Sequence, residues 1–161
     1  GRHVIAEFFQ CDFDRLNEAP ELESAMRDAA KHAGATILCS HSHFFEPHGV
    51  SAVVIISESN LCIHSWPEFG YAACDFFTCG DAVNPWKSFE YLMDFLGAKK
   101  VNASELQRGN TQLITDFKPS YVAMELGNSP TPKQPSQPTV PVMTKMYRLD
   151  EDPKTNSVSS T

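Results

Sequence analysis

The stretch Val50-Ser51-Ala52-Val53-Val54-Ile55-Ile56-Ser57-Glu58-Ser59-Asn60-Leu61-Cys62-Ile63-His64-Ser65-Trp66-Pro67-Glu68-Phe69-Gly70-Tyr71-Ala72-Ala73-Cys74-Asp75-Phe76-Phe77 decides the architecture. It holds three short apolar runs, 50–56, 61–66 and 71–77, rich in β-branched and aromatic residues. Ser, Glu, Asn, Pro and Gly lie between them, so the runs read as strands joined by hairpin-like connections. Working outward, 36–39 is a further short apolar run and 4–9 reads as a first strand.

Two helices flank these strands. Over 20–33, Leu22, Met26, Ala29, Ala30 and Ala33 recur at helical spacing, and Gly34 is placed to end the helix. Further on, Asn84 can cap a helix whose first turn takes Pro85. Trp86, Phe89, Met93 and Leu96 then form one apolar stripe before Gly97. Residues 100–103 supply a last strand. The order β-α-β-β-β-β-α-β predicts an α+β fold: a two-layer sandwich, with an antiparallel-rich sheet covered by two helices.

A chain of 161 residues suffices for one core. The expected domain is 1–118. From Pro119 onward, Pro130, Pro132, Pro135, Pro138 and Pro141 punctuate a polar stretch that buries too little apolar surface to offset its ordering entropy. Residues 119–161 therefore read as a mobile tail, with 140–149 its most apolar part.

The formal net charge is −7, and Lys99-Lys100 is the sole adjacent basic pair ahead of the tail. Nucleic-acid binding needs a concentrated basic face, so that class is set aside. No apolar run approaches the roughly 18–20 residues of a membrane span. The opening residues lack the pattern of a signal peptide. The five cysteines include no C-x-x-C pair, which suits reduced thiols and a cytoplasmic location.

Two clusters carry potential chemistry. His41 and His43, in Cys39-Ser40-His41-Ser42-His43, fall on one face of a strand. No third ligand follows at a familiar spacing, so they read as surface or substrate-pocket histidines and no metal is expected. Glu58-Ser59 lies in a turn, with His64 five residues on. There is no G-x-S-x-G elbow and no triad order, so a hydrolase is not indicated. On its own the pair is equally compatible with a hairpin turn and a packed histidine.

Read as a unit, residues 49–80 resemble the prokaryotic S-adenosylmethionine decarboxylase family. The Glu58-Ser59 motif, Ile63-His64-Ser65-Trp66-Pro67-Glu68 and Thr78-Cys79-Gly80 occur in the family's order and spacing. The likeness starts at Gly1-Arg2-His3 and continues through Asn84-Pro85-Trp86-Lys87 to Arg108-Gly109. It implies a proenzyme that cuts itself between Glu58 and Ser59, giving a β chain 1–58 and an α chain from 59. Ser59 becomes a covalent pyruvoyl cofactor, which forms a Schiff base with the substrate amine, so pyridoxal phosphate is not expected. Ser51 and His64 match the family's processing residues, with His64 also catalytic, and Cys79 matches its proton donor. Phe45 matches an adenine-stacking aromatic, and Glu68 a carboxylate that binds ribose hydroxyls.

The reaction implied is decarboxylation of S-adenosylmethionine for spermidine biosynthesis, by a homodimer of αβ protomers. Some residues depart from the pattern: Asn60 stands where many members have histidine, Glu46 adjoins Phe45, and 104–109 follows the family only in part. These leave two alternatives open. One is the same chemistry on ornithine or arginine; the other is a non-catalytic regulatory paralogue.

Overall fold

The computed structural model describes residues 1–57, 59–109 and the backbone of 143–149. Its strands are β1 (Arg2–Phe9), β2 (Ile37–Phe44), β3 (Val50–Ile56), β4 (Ser59–Trp66), β5 (Tyr71–Thr78), β6 (Lys100–Gln107) and β7 (Met143–Leu149). The helices are α1 (Phe13–Asn17), α2 (Ala19–His32) and α3 (Pro85–Leu96), with a 3₁₀ turn at Pro67–Phe69. All seven strands form one sheet in the order β2-β3-β4-β5-β1-β6-β7, and every neighbouring pair is antiparallel. The expected α+β sandwich is thus the observed one.

Alternation along the strands separates the two faces of the sheet. Val4, Ala6 and Phe8 of β1, Val54 and Ile56 of β3, Leu61 and Ile63 of β4, and Phe76 of β5 are buried. They pack against Leu22, Met26 and Ala29 of α2 and against Phe89, Leu92 and Leu96 of α3. Phe8 stacks on Phe89, and the Ser88 hydroxyl donates to the Ala29 carbonyl, tying the helices together. Among the described residues the opposite face carries no helix, and it presents Ile5, Ile55 and Trp66 to solvent.

The capping expected for α3 is present: Asn84 accepts from the Trp86 N–H, and Gly97 closes the helix at φ +62°. Three features go beyond the sequence reading. The short helix α1 is capped by Asp12, which accepts from the Asp14 and Arg15 N–H groups. Strand β2 runs on past Cys39 to Phe44, with a register shift between Ile37 and Cys39. Met143–Leu149, expected as part of a mobile tail, instead pairs with β6. The domain end expected near residue 118 lies outside the described residues.

One buried charge braces the sheet against α3. Glu105 is 6% exposed and accepts from Arg2 Nε at 2.8 Å, from Arg2 Nη2 at 3.0 Å and from Trp86 Nε1. A carboxylate taken out of water needs such partners.

Candidate active site

Strands β3 and β4 form a hairpin in which Ile56 faces Ser59. That register fixes every other pair, and it sets Ser51 opposite His64. Both side chains stand on the helix-free face, where Ser51 Oγ and His64 Nδ1 share a hydrogen bond of 2.7 Å. His64 is exposed there. The row continues on one side to His43, opposite Ser51 in β2, and on the other to Ala73 and Glu7.

Ser59 opens β4 at the other end of the hairpin. Its Oγ is the single buried side-chain oxygen or nitrogen among the described residues that has no hydrogen-bond partner. Such a group costs about 1–3 kcal/mol, so an orphaned hydroxyl here invites a chemical explanation. Glu58, the other half of the expected cleavage site, lies outside the described residues.

Cys79 is half-buried and directly follows β5. Because Asn60 faces Phe77, Cys79 and Ser59 lie at the same end of adjacent strands. The thiols of Cys11, Cys62 and Cys74 are less acidic than usual. Burial pushes Cys11 up to about 12 and raises Cys74 well above its ordinary value. Burial also raises Cys62, against a hydrogen bond from Asn60 Nδ2 to its Sγ.

Phe45 and Glu68 lie at the opposite end of the hairpin from Ser59. Phe45 directly follows β2, and its N–H donates to the Gly49 carbonyl at 2.8 Å. Glu68 is exposed in the 3₁₀ turn after β4. Ser65 near the end of β4 ties the start of β3 to α1: its Oγ accepts from the Val50 N–H at 2.8 Å and donates to the Leu16 carbonyl at 2.7 Å.

The chain therefore groups its expected site residues into two clusters. Ser51, His64, Phe45 and Glu68 lie toward one end of the β3–β4 hairpin, and Ser59 and Cys79 toward the other. His64 follows Ser59 by five positions on one strand, which at about 3.4 Å per residue is roughly 17 Å. An odd spacing also sends the two side chains to opposite faces. Within a single chain, His64 does not reach the α-carbon of Ser59.

A shallow depression of about 320 Å³ on the helix-free face is lined by Ile5, Glu7, Tyr71, Asp75, Asn102 and Ser104, among others. It contains none of the expected site residues, and the chemistry-bearing side chains lie on neighbouring strands.

A two-layer α+β protein with a serine–histidine pair on an open sheet and an orphaned serine at a hairpin is the class these features define. Known proteins make it specific. The model of the S-adenosylmethionine decarboxylase family matches residues 2–109. A relative from Thermotoga petrophila, named S-adenosylmethionine decarboxylase proenzyme, is 54% identical over 109 residues, covering 68% of this chain and 84% of the relative. One of the same name from Clostridium kluyveri is 46% identical over 122 residues, covering 76% and 97%. The crystal structure of the adenosylmethionine decarboxylase from Aquifex aeolicus superposes with a TM-score of 0.64 at 31% identity, covering 68% of this chain and 90% of that one. The chain belongs to the S-adenosylmethionine decarboxylase family, a family of carboxy-lyases.

Proposed function

We propose that this chain cuts itself at Glu58–Ser59 and decarboxylates S-adenosylmethionine. In this reading it works as a homodimer in which each site takes Ser59 and Cys79 from one protomer and Ser51, His64, Phe45 and Glu68 from the other. The observation that carries the reading is the buried, unpartnered Ser59 hydroxyl on a hairpin whose own histidine is roughly 17 Å away. The nucleophile is present and its base must come from elsewhere. A second copy that brings its own serine–histidine pair to the Ser59 end of this hairpin would supply it.

The cleavage chemistry follows from the residues. Ser59 Oγ attacks the Glu58 carbonyl carbon; the peptide C–N bond breaks as an ester C–O bond forms, and the hydroxyl proton passes to the freed amine. One tautomer of His64 serves both processing roles. With the proton on Nδ1, that nitrogen donates to Ser51 Oγ, and Ser51 keeps its own O–H to polarise the Glu58 carbonyl. Nε2 is then unprotonated and removes the Ser59 α-proton. The ester C–O bond breaks, Glu58 leaves as a carboxylate and residue 59 becomes dehydroalanine. Water then displaces ammonia, leaving a pyruvoyl group.

The orphaned Oγ fits this origin, because the atom that ends as the ester oxygen holds no native hydrogen bond that cleavage must break. A pyruvoyl group at residue 59 would supply an electron sink for the bonding pair left on the substrate carbon when carbon dioxide departs. Phe45 presents an exposed ring for a flat base, Glu68 a carboxylate for hydroxyl groups, and Cys79 a thiol that returns a proton to carbon.

Intact mass under denaturing conditions tests this. The wild-type chain should yield two fragments, the C-terminal one beginning with pyruvoyl, and Ser59→Ala a single uncut chain. Cys79→Ala should still cut but lose about a hundredfold in turnover, the scale of one proton-transfer group. Cleavage of the Ser59→Ala chain, or full turnover without Cys79, contradicts the assignment.

A further inference from the structure

His43 plays no part in the chemistry above, yet it sits between that chemistry and Phe45. It lies on the helix-free face of β2, directly opposite Ser51, whose hydroxyl holds His64. Its ring meets the ring of Phe45 edge-on, with centroids 4.7 Å apart and planes inclined at 76°.

The backbone carrying Phe45 is fixed from several sides. The Phe45 N–H is held by the Gly49 carbonyl, and the Gly49 N–H donates to Asn17 Oδ1 at 3.1 Å. Gly49 has φ +110°, and a Cβ there would come within 3.1 Å of the Ser65 carbonyl, so the loop has little freedom to shift. The Phe45 side chain is a different matter: the residue is 47% exposed, so core packing does not choose its rotamer. An edge-to-face partner does, because the quadrupoles of two rings favour that inclination.

We infer that His43 is a positioning residue for substrate binding. It fixes the ring plane of Phe45 relative to the Ser51–His64 pair, so that an adenine stacked on Phe45 is presented in register with the reacting end of the substrate. The inference rests on the reading of Phe45 as the adenine surface. It requires an aromatic ring at position 43 and no titration of that ring. A histidine merely exposed on an edge strand would have no effect on ligand affinity.

The test uses the processed, full-length protein and 5′-methylthioadenosine, which carries adenine, ribose and thioether but no amino acid. Its dissociation constant is read by calorimetry, beside KM and kcat for S-adenosylmethionine. His43→Ala should weaken methylthioadenosine binding by about two- to tenfold, the range that an edge-to-face pair spans. The loss should appear in KM rather than kcat, and His43→Phe should restore affinity to within about twofold of wild type. Unchanged affinity in His43→Ala, alongside weakened binding in Phe45→Ala, overturns the positioning role alone. If His43→Phe binds as weakly as His43→Ala, the ring is not what orients Phe45 and the inference also falls. Unchanged affinity in Phe45→Ala removes the adenine reading itself, and the inference with it.

Discussion

A mixture of two inactive variants should recover self-cleavage. Ser59→Ala removes the nucleophile and His64→Ala removes the base. If both groups acted within one chain, no combination of the two would cut. The strand geometry points the other way, since His64 lies roughly 17 Å along β4 from Ser59 and on the opposite face, whereas proton transfer needs about 3 Å. In a dimer with crossed sites, each mixed dimer holds one complete site, built from Ser59 of the His64→Ala chain and His64 of the Ser59→Ala chain. Its second site lacks both groups. Random pairing of equal amounts makes about half of the dimers mixed, so about a quarter of all sites are complete and about half of the His64→Ala chains are cut.

The assay is co-expression of the two chains with tags of different mass, followed by denaturing mass spectrometry. The fragments should carry only the His64→Ala tag. Absence of cleavage in mixed dimers isolated by double-tag purification would refute the shared site. Cleavage of the Ser59→Ala chain would refute the nucleophile.

Two further predictions concern stability. Glu105→Ala strips Arg2 and the Trp86 N–H of a buried acceptor, and a broken buried pair typically costs about 3–5 kcal/mol. Because the Arg2 side chain is 32% exposed, the expected loss is nearer about 2–3 kcal/mol, read from urea denaturation, and a loss below about 0.5 kcal/mol contradicts the bracing role. Glu23 accepts from the Ser40 and Ser42 hydroxyls at 2.6 Å each, and these bonds, Ser40 first, hold its carboxyl below the usual range. A depressed folded pKa gives stability that is present above the unfolded value, about 4.3, and is lost as pH falls through the folded one. Melting temperature measured from about pH 6 down to pH 3 should therefore fall less steeply in Glu23→Gln than in wild type; identical acid limbs would remove Glu23 as the cause.

The strands that pack on helices were legible because one face is buried, and burial writes alternation into the sequence. Residues 50–56 show it, and in the same way one buried side writes a helical stripe into 85–96, which Asn84 caps. The second half of β2 was not legible, because its inward residues are Ser40 and Ser42. They satisfy an edge strand by bonding to Glu23 on α2 rather than by apolar burial. Helix α1 buries Leu16 alone, too little for a periodic signal, and β7 lies in a stretch whose prolines argue for extended chain.

In the site, the Ser51–His64 contact follows from the hairpin register, so it becomes visible once Ile56 and Ser59 are paired. The separation of Ser59 from His64 was not readable, because the sequence places Ser59 in a turn and only the start of β4 at Ser59 puts five strand residues between them. The contact of His43 with Phe45 was not, because it depends on a loop that turns back at Gly49.

The proposed place of the cut in the sheet has a consequence for how the cleaved protein would hold together. A cut at Glu58–Ser59, as proposed, would fall between β3 and β4 and assign β1, β2 and β3 to one fragment and β4, β5, β6 and β7 to the other. In the sheet they interleave: β4 and β5 of the second fragment lie between β3 and β1 of the first, and β1 lies between β5 and β6. Neither fragment owns a contiguous sheet, so the backbone hydrogen bonds of each are completed by the other. Before cutting, refolding is a unimolecular search along one chain. After cutting, it becomes an encounter between two pieces whose exposed strand edges also invite wrong partners. On the proposed reading, maturation would separate the state that folds along one chain from the state that reacts, and the cut protein would depend on slow unfolding more than on reassembly.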